Sequence, residues 1–336
     1  CGPSKTPTPP IGALRRYLPL ALKNHPVRLR PLYLPLALKN FPIGWQLSGA
    51  SGIPIKALAC DPLRPEITYA GTGNHGLQRR LGCALPWEQL SRFSDRSVYA
   101  LLVTGNDRVY AAIYGDGIFV STDQGDNWQE ANTGLANPYV YALASHPNNP
   151  ETLYAASDRV YKTTDGGSTW TPASNGLTST EINCLAIIPD APQVILAGTS
   201  DKGIFRSTNG GDSWQQSNTG LGSMVVWSLA ISATDSRILF AGTDGGVYRS
   251  EDRGTSWAYV GLGKTYSLVV HPYKRRTIYA GTSGSGVFIS ENAGLTWTPY
   301  SEGLGNSVVQ ALTVTPNGCR KVYAGTDSGI WERSAN

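Results

Sequence analysis

Tryptophan recurs along this chain at Trp45, Trp87, Trp128, Trp170, Trp214, Trp257 and Trp297, in steps of 42, 41, 42, 44, 43 and 40 residues. A period near 40 that encloses several strand-like segments is the mark of a β-propeller blade, a unit that cannot bury its faces alone and must stack on copies of itself. One unit shows the contents. VYALASHP (140–147), TLYAAS (152–157), RVYKTT (159–164) and TWTPAS (169–174) read as four short strands separated by turn residues. Composition agrees: 38 Gly and 17 Tyr stand beside only 15% charged residues, and no helical apolar period persists.

Six complete units end at the tryptophans from Trp87 to Trp297. A seventh begins with VVQALTVTP (308–316), KVYAGT (321–326) and GIWERS (329–334), and has no fourth strand and no Trp. Trp45, in GWQLSG (44–49), has the phase of the missing strand. The expected fold is therefore all-β, a seven-bladed propeller spanning 43–336. Its N-terminal strand should pair with the last blade and so remove the open sheet edges.

Five units carry a sharper motif before Trp: STDQGDNW (121–128), TTDGGSTW (163–170), STNGGDSW (207–214), SEDRGTSW (250–257) and SENAGLTW (290–297). This matches the Asp-box, and residues 43–336 resemble the BNR-repeat propeller families that carry it. The first unit's box, RLGCALPW (80–87), is degenerate. In a hairpin, the Ser/Thr hydroxyl and the side chains of Asp123, Asp165, Asn209, Asp252 and Asn292 should hold backbone N–H groups of the turn. The tryptophan should pack between neighbouring sheets. A catalytic role for these acids is rejected. The resemblance puts the box on an outer hairpin, and a turn tolerates the Asn found at two positions whereas an acid catalyst does not.

Aligning the first strand of each unit brings seven residues to one equivalent position near the channel mouth: Lys56, Tyr99, Tyr141, Asn183, Trp227, Tyr266 and Gln310. A ring of aromatic and amide groups suits a sugar or a peptide; packing between blades is the other reading. Loop acids at Asp116, Glu181, Asp201, Asp244 and Asp327 are scattered. Sialidases share Asp-boxes, but the F/Y-R-I-P segment usual in them is absent. Xyloglucanase-type glycosidases, closer in blade sequence, set substrate between two such propellers, and one is present here. His75, His146 and His271 do not cluster, no Walker loop, GxSxG or CxxC occurs, and neither a metal nor a cofactor is expected.

Residues 1–42 hold seven Lys/Arg and no acid, so with the chain at +4 the remainder is 4 − 7 = −3. A net-negative propeller argues against nucleic-acid binding. Nine prolines forbid a long helix in this segment, which reads as an extended, Pro-rich basic arm. It writes YLPLALKN twice, at 17–24 and 33–40. The first copy, through Tyr17, Leu18, Leu20 and Leu22, is read as a strand that docks on a partner, and the second as lying along the last blade; a duplicated spacer is the alternative. Cys1-Gly2-Pro3-Ser4 resembles the mature end of a bacterial lipoprotein. That resemblance implies a lipid on Cys1, a membrane-anchored tether over 1–42 and a propeller facing the periplasm or the cell exterior. No apolar run approaches the ~20 residues of a spanning helix. Cys184 should be buried and free. A disulfide is expected within the trio Cys60, Cys83 and Cys319, with Cys60–Cys83 the expected pair.

These readings lead to a non-enzymatic, extracytoplasmic binding subunit or assembly scaffold of an envelope complex. The closest single-domain resemblance is to the photosystem II assembly and stability factor family, in architecture only. The alternative is a carbohydrate-binding or glycosidase-related propeller.

Overall fold

A computed structural model describes residues 44–335 apart from 275, 306, 317 and 318. Cys1, both YLPLALKN copies and the arm residues Tyr17, Leu18, Leu20 and Leu22 lie outside the described residues. Seven four-stranded antiparallel sheets form the propeller. We number the blades 1 to 7 and letter their strands A to D from the axis outward. Blade 3, for example, comprises Ala142–His146, Asn149–Ala156, Val160–Thr163 and Thr171–Pro172. The sole helical element among the described residues is a 3-10 turn at Ser91–Phe93.

Blade 7 takes strands A to C from the C-terminal end of the chain and strand D, Gln46–Gly49, from the N-terminal side. Gln46 pairs with Glu332 and Leu47 with Trp331. The expected closure is thus present, and Trp45 repeats the contacts of three internal tryptophans. Trp170, Trp214 and Trp257 each donate their backbone N–H to the residue before a Gly-Leu pair on the preceding blade, namely Thr133, Asn175 and Thr219, at 2.8 Å. Trp45 does the same to Glu302 at 2.7 Å. Its indole Nε1 donates to Tyr300 O at 2.6 Å, as Trp170 and Trp214 donate to Ala131 O and Ala173 O. The glycine of the pair is needed twice over. Gly303 has φ +84°, and a Cβ there would lie 2.6 Å from Trp45 O.

A second regular contact joins the blades nearer the axis. The AGT segment of strand B brings its glycine against a β-branched residue of the next strand A. At Gly325 a Cβ would sit 2.6 Å from Ile55 Cγ2, and at Gly281 the same distance from Val309 Cγ1. Further out, tyrosines of strand B donate to the next blade's Asp-box turn: Tyr69 to Gln124 O, Tyr110 to Gly166 O and Tyr154 to Gly210 O, at 2.9–3.0 Å. Buried phenols satisfied in this way cost little and fix the stacking distance.

The seam between blades 7 and 1 departs from this pattern, and there the cysteine expectation is corrected. Cys83 pairs with Cys319, their Cα atoms 5.2 Å apart, while Cys60 is free. Cys60 ends strand A of blade 1, and its sulfur lies between the hydroxyls of Thr68 and Thr313, at 3.7 and 3.5 Å. Cys83 instead rides on the degenerate box turn, which reaches the A–B loop of blade 7. Cys184 is free as expected, and burial pushes its thiol up to about 12. Removing the disulfide with paired Cys83→Ser and Cys319→Ser changes should cost about 2 kcal/mol, the lower part of the usual range, since strand D already closes the ring. Chemical denaturation of the oxidised and double-Ser proteins checks this, and Cys60→Ser serves as the neutral control.

Candidate ligand-binding site

The seven aligned residues do line a single cavity of about 360 Å³ at the upper mouth of the channel, beside the D–A and B–C loops. The backbone explains how. In six blades the pairing of strands A and B slips by one residue, and the extra residue is the ring member. The slips fall between Ile55 and Ala57, Val98 and Ala100, Ile182 and Cys184, Val226 and Ser228, Thr265 and Ser267, and Val309 and Ala311. In blade 3, Tyr141 sits just ahead of strand A with its N–H on Ala156 O at 2.9 Å. A bulge leaves one residue out of the ladder and re-aims its side chain. The residue before it, such as Ile55 or Val226, is fully buried between blades. Packing between blades and lining the cavity therefore belong to adjacent residues, which separates the two readings the sequence left open.

The cavity has two aromatic walls. On blades 2 and 3, Tyr99 stacks with Tyr114 at 5.0 Å and meets Tyr141 edge-on at 5.9 Å, and Tyr114 meets Tyr139 at 4.8 Å. Burial, and then the neighbouring Tyr114, push the Tyr99 phenol up; burial does the same for Tyr141. Both stay protonated donors at neutral pH. Opposite, Trp227 meets Tyr266 at 5.4 Å, and Lys264 lies over both rings. Between the walls stand Asn183, whose amide donates to Val226 O at 3.0 Å, and the Lys56–Gln310 pair, joined at 2.9 Å. Tyr114, Tyr139 and Lys264, which support ring members or each other, were not singled out from the sequence, and Asp244 was read there only as a scattered loop acid. They sit on the loops YGDG, LANPYV, TDGG and LGKTY, and which loop side chains turn inward depends on turn geometry.

Four of the five loop acids, all but Asp327, are held by neighbours. Asp116 pairs with Arg96 at 3.1 Å, Glu181 accepts from Ser200 at 2.6 Å and Asp201 from Ser179 at 2.5 Å. Asp244 accepts from Trp227 Nε1 at 2.6 Å and pairs with Lys264 at 2.9 Å. Partial burial raises its carboxyl, but those two donors outweigh burial and hold it below the usual carboxylate range. That is the opposite of the shift a general acid needs. His146 and His271 cap turns: Nδ1 of His146 accepts from Asn148 N–H, and Nδ1 of His271 from Tyr273 and Lys274 N–H. Among the described residues no group of His, Cys, Asp or Glu could hold a metal ion.

The Asp-boxes are turn braces. Ser121 Oγ donates to Asp123 and accepts from Gly125 N–H, while Asp123 Oδ1 accepts from Asn127 N–H at 2.8 Å. Asp165 and Asp252 make the same bonds, and so do Asn209 and Asn292 with Oδ1 as acceptor. Donated hydrogen bonds hold Asp123 and Asp165 at about 2. A carboxyl depressed in the fold stabilises it above its unfolded value near 3.8, and that contribution is lost as pH falls toward 2. The melting temperature should drop between pH 4 and pH 2. Asp123→Asn plus Asp165→Asn should flatten that drop while leaving stability at pH 7 nearly unchanged, as scanning calorimetry would show.

Comparison with known proteins bears on the fold. Residues 116–246 match the Sortilin-Vps10 family, described as sortilin, neurotensin receptor 3, over less than half of the chain. No curated protein matches. Among solved structures, a GH74 enzyme from Niastella koreensis superposes with TM-score 0.71 at 19% identity, covering 86% of this chain and 53% of its own. The GH74 xyloglucanase from Xanthomonas campestris gives 0.67 at 15%, covering 88% and 54%. YCF48 bound to a D1 peptide gives 0.69 at 14%, covering 88% and 98%. The chain therefore spans about half the length of the GH74 enzymes and nearly the whole of YCF48. At these identities the likeness is one of fold.

Proposed function

We propose that this propeller is a non-enzymatic receptor for an extended segment of a partner protein, held at the upper cavity, and acts as an accessory or assembly subunit outside the cytoplasm. The observation that carries this reading is the ring itself: each blade gives one side chain to one cavity, six of them from a bulge, and tyrosine, tryptophan and amides make up all of it but Lys56. Such groups bind by stacking and hydrogen bonding without chemistry. The likeness to YCF48, solved with a D1 peptide, supports a peptide over other ligands. The Cys83–Cys319 bridge supports an oxidising compartment. The likeness to GH74 enzymes favours a glycan as the second reading, and the tyrosine shelf would suit a sugar ring. Asp244, whose shift is downward, does not suit the general acid of such a hydrolysis.

The test is capture from detergent-solubilised membranes of the native host. Wild-type protein should retain a discrete partner, and Tyr99→Ala with Trp227→Ala should lose at least about tenfold of it at little cost in melting temperature, because both side chains face the cavity. Undiminished capture by the double variant would exclude the cavity as the binding site. Oligosaccharide retention lost in the same variant would transfer the site to glycans.

A further inference from the structure

The ring contains one formal charge, and it is unmatched. Lys56 Nζ donates to the neutral Gln310 Oε1 at 2.9 Å, and among the described residues its ammonium takes part in no ion pair. A second cation at the mouth is already engaged. Lys264 Nζ is 2.9 Å from Asp244 and lies 5.2 and 5.1 Å from the ring centroids of Trp227 and Tyr266. The protein thus fills its own cation–π position, and a cationic ligand would have to displace a lysine that is also ion-paired. An ammonium has three donors, of which Gln310 takes one. A lone cation between aromatic walls favours a ligand that brings an anion together with an apolar group. A volume of about 360 Å³ takes one or two side chains rather than a folded surface.

Building on the peptide-receptor reading above, we propose that the cavity selects a peptide carboxylate flanked by an aromatic or aliphatic side chain, with Lys56 as the specificity-determining residue and Gln310 as the residue that positions it. The carboxylate has two sources in a peptide, the C-terminus or an Asp or Glu side chain. Either meets Lys56 while the neighbouring side chain rests on the Tyr99–Tyr141 wall.

Ligand-observed NMR titration of the full chain at low salt tests this with four probes: N-acetyl-tyrosine, N-acetyl-tyrosine amide, N-acetyl-aspartyl-tyrosine amide and glucuronic acid. One of the two carboxylate peptides should bind at least about tenfold tighter than N-acetyl-tyrosine amide, as expected for a charge-assisted hydrogen bond. Whichever it is names the source. Lys56→Met should bring acid and amide within about twofold. Gln310→Glu, which keeps the lysine but neutralises it, should abolish the preference as well, an effect that lost packing alone would not produce. Tyr99→Ala should weaken acid and amide alike. Equal binding of acid and amide by the wild type, a preference that survives Lys56→Met, tighter binding of glucuronic acid than of either peptide acid, or no binding of any probe at millimolar concentration would each overturn the proposal. If Lys56→Met still captures the membrane partner while the Tyr99→Ala/Trp227→Ala protein does not, carboxylate selectivity falls and the receptor reading stands.

Discussion

Replacing Trp45 with alanine should destabilise the fold by about 3–5 kcal/mol, the range for truncating a buried tryptophan. The side chain is 1% exposed, sits edge-on to Tyr300 at 6.1 Å and belongs to the same buried cluster as Tyr279, Val287 and Leu304. Its loss would leave a void at the junction of blades 6 and 7. It would also strip Tyr300 O of the indole donor, leaving only the more distant Arg333 guanidinium at 3.3 Å. The position matters because strand D of blade 7 comes from the far end of the chain, so closure by this strand joins sites separated by nearly the whole domain. Leu47→Ala on the same strand is the control. That residue is 46% exposed and should change stability by less than about 0.5 kcal/mol. Equal denaturation midpoints for the two variants would show that the strand does not close the ring.

Arg80→Met should cost about 2–3 kcal/mol, because it takes one charge-assisted partner from a largely buried carboxylate and a brace from its own turn. Arg80 stands where the other boxes have Ser or Thr, with its side chain 7% exposed. Its guanidinium braces its own turn, Nε donating to Gly82 O at 3.0 Å and Nη2 to Cys83 O at 2.7 Å. Nη1 reaches across the seam to Glu332 and to Ser48 Oγ and Tyr323 OH, at 3.0 and 3.2 Å. Lys321 pairs with the same carboxylate, to which Ser48 also donates at 2.9 Å. The degenerate box is thus an exchange: a hydroxyl-braced turn has given way to an ionic cluster and a disulfide at the junction where the two ends of the domain meet. Burial raises Glu332, but the hydrogen bonds from Lys321 and Arg80 prevail and leave it below its ordinary value of 4.5. Its contribution is therefore present above that value and lost as pH falls below it. Arg80→Met should reduce the loss of stability between pH 5 and pH 3. A double-mutant cycle with Glu332→Gln should return a coupling of at least about 1 kcal/mol. Purely additive effects would mean that the seam is held by the disulfide and packing alone.

Blade number, strand order and the closing strand were legible in the sequence, because each follows from a local period: tryptophans near every 40 residues, and a phase that Trp45 shares. The role of the Asp-boxes was legible for the same reason, since a turn brace needs only residues within a few positions of one another. The cavity ring could be named by alignment, since repeats that adopt one backbone put equivalent residues at one depth. Its meaning could not. Whether Tyr99 packs between blades or lines the channel depends on a one-residue slip between strands A and B, and a slip has no composition of its own. The cysteine pairing was likewise beyond the sequence. Cys60 and Cys83 are neighbours along the chain, yet pairing obeys distance in space, and the propeller brings residue 83 to residue 319. Short-range chemistry, repeated, determined this fold. Which residue lines the cavity was decided in six blades by a slip within the sheet, and the cysteine pairing where the ring closes, by a contact between residues more than 200 positions apart.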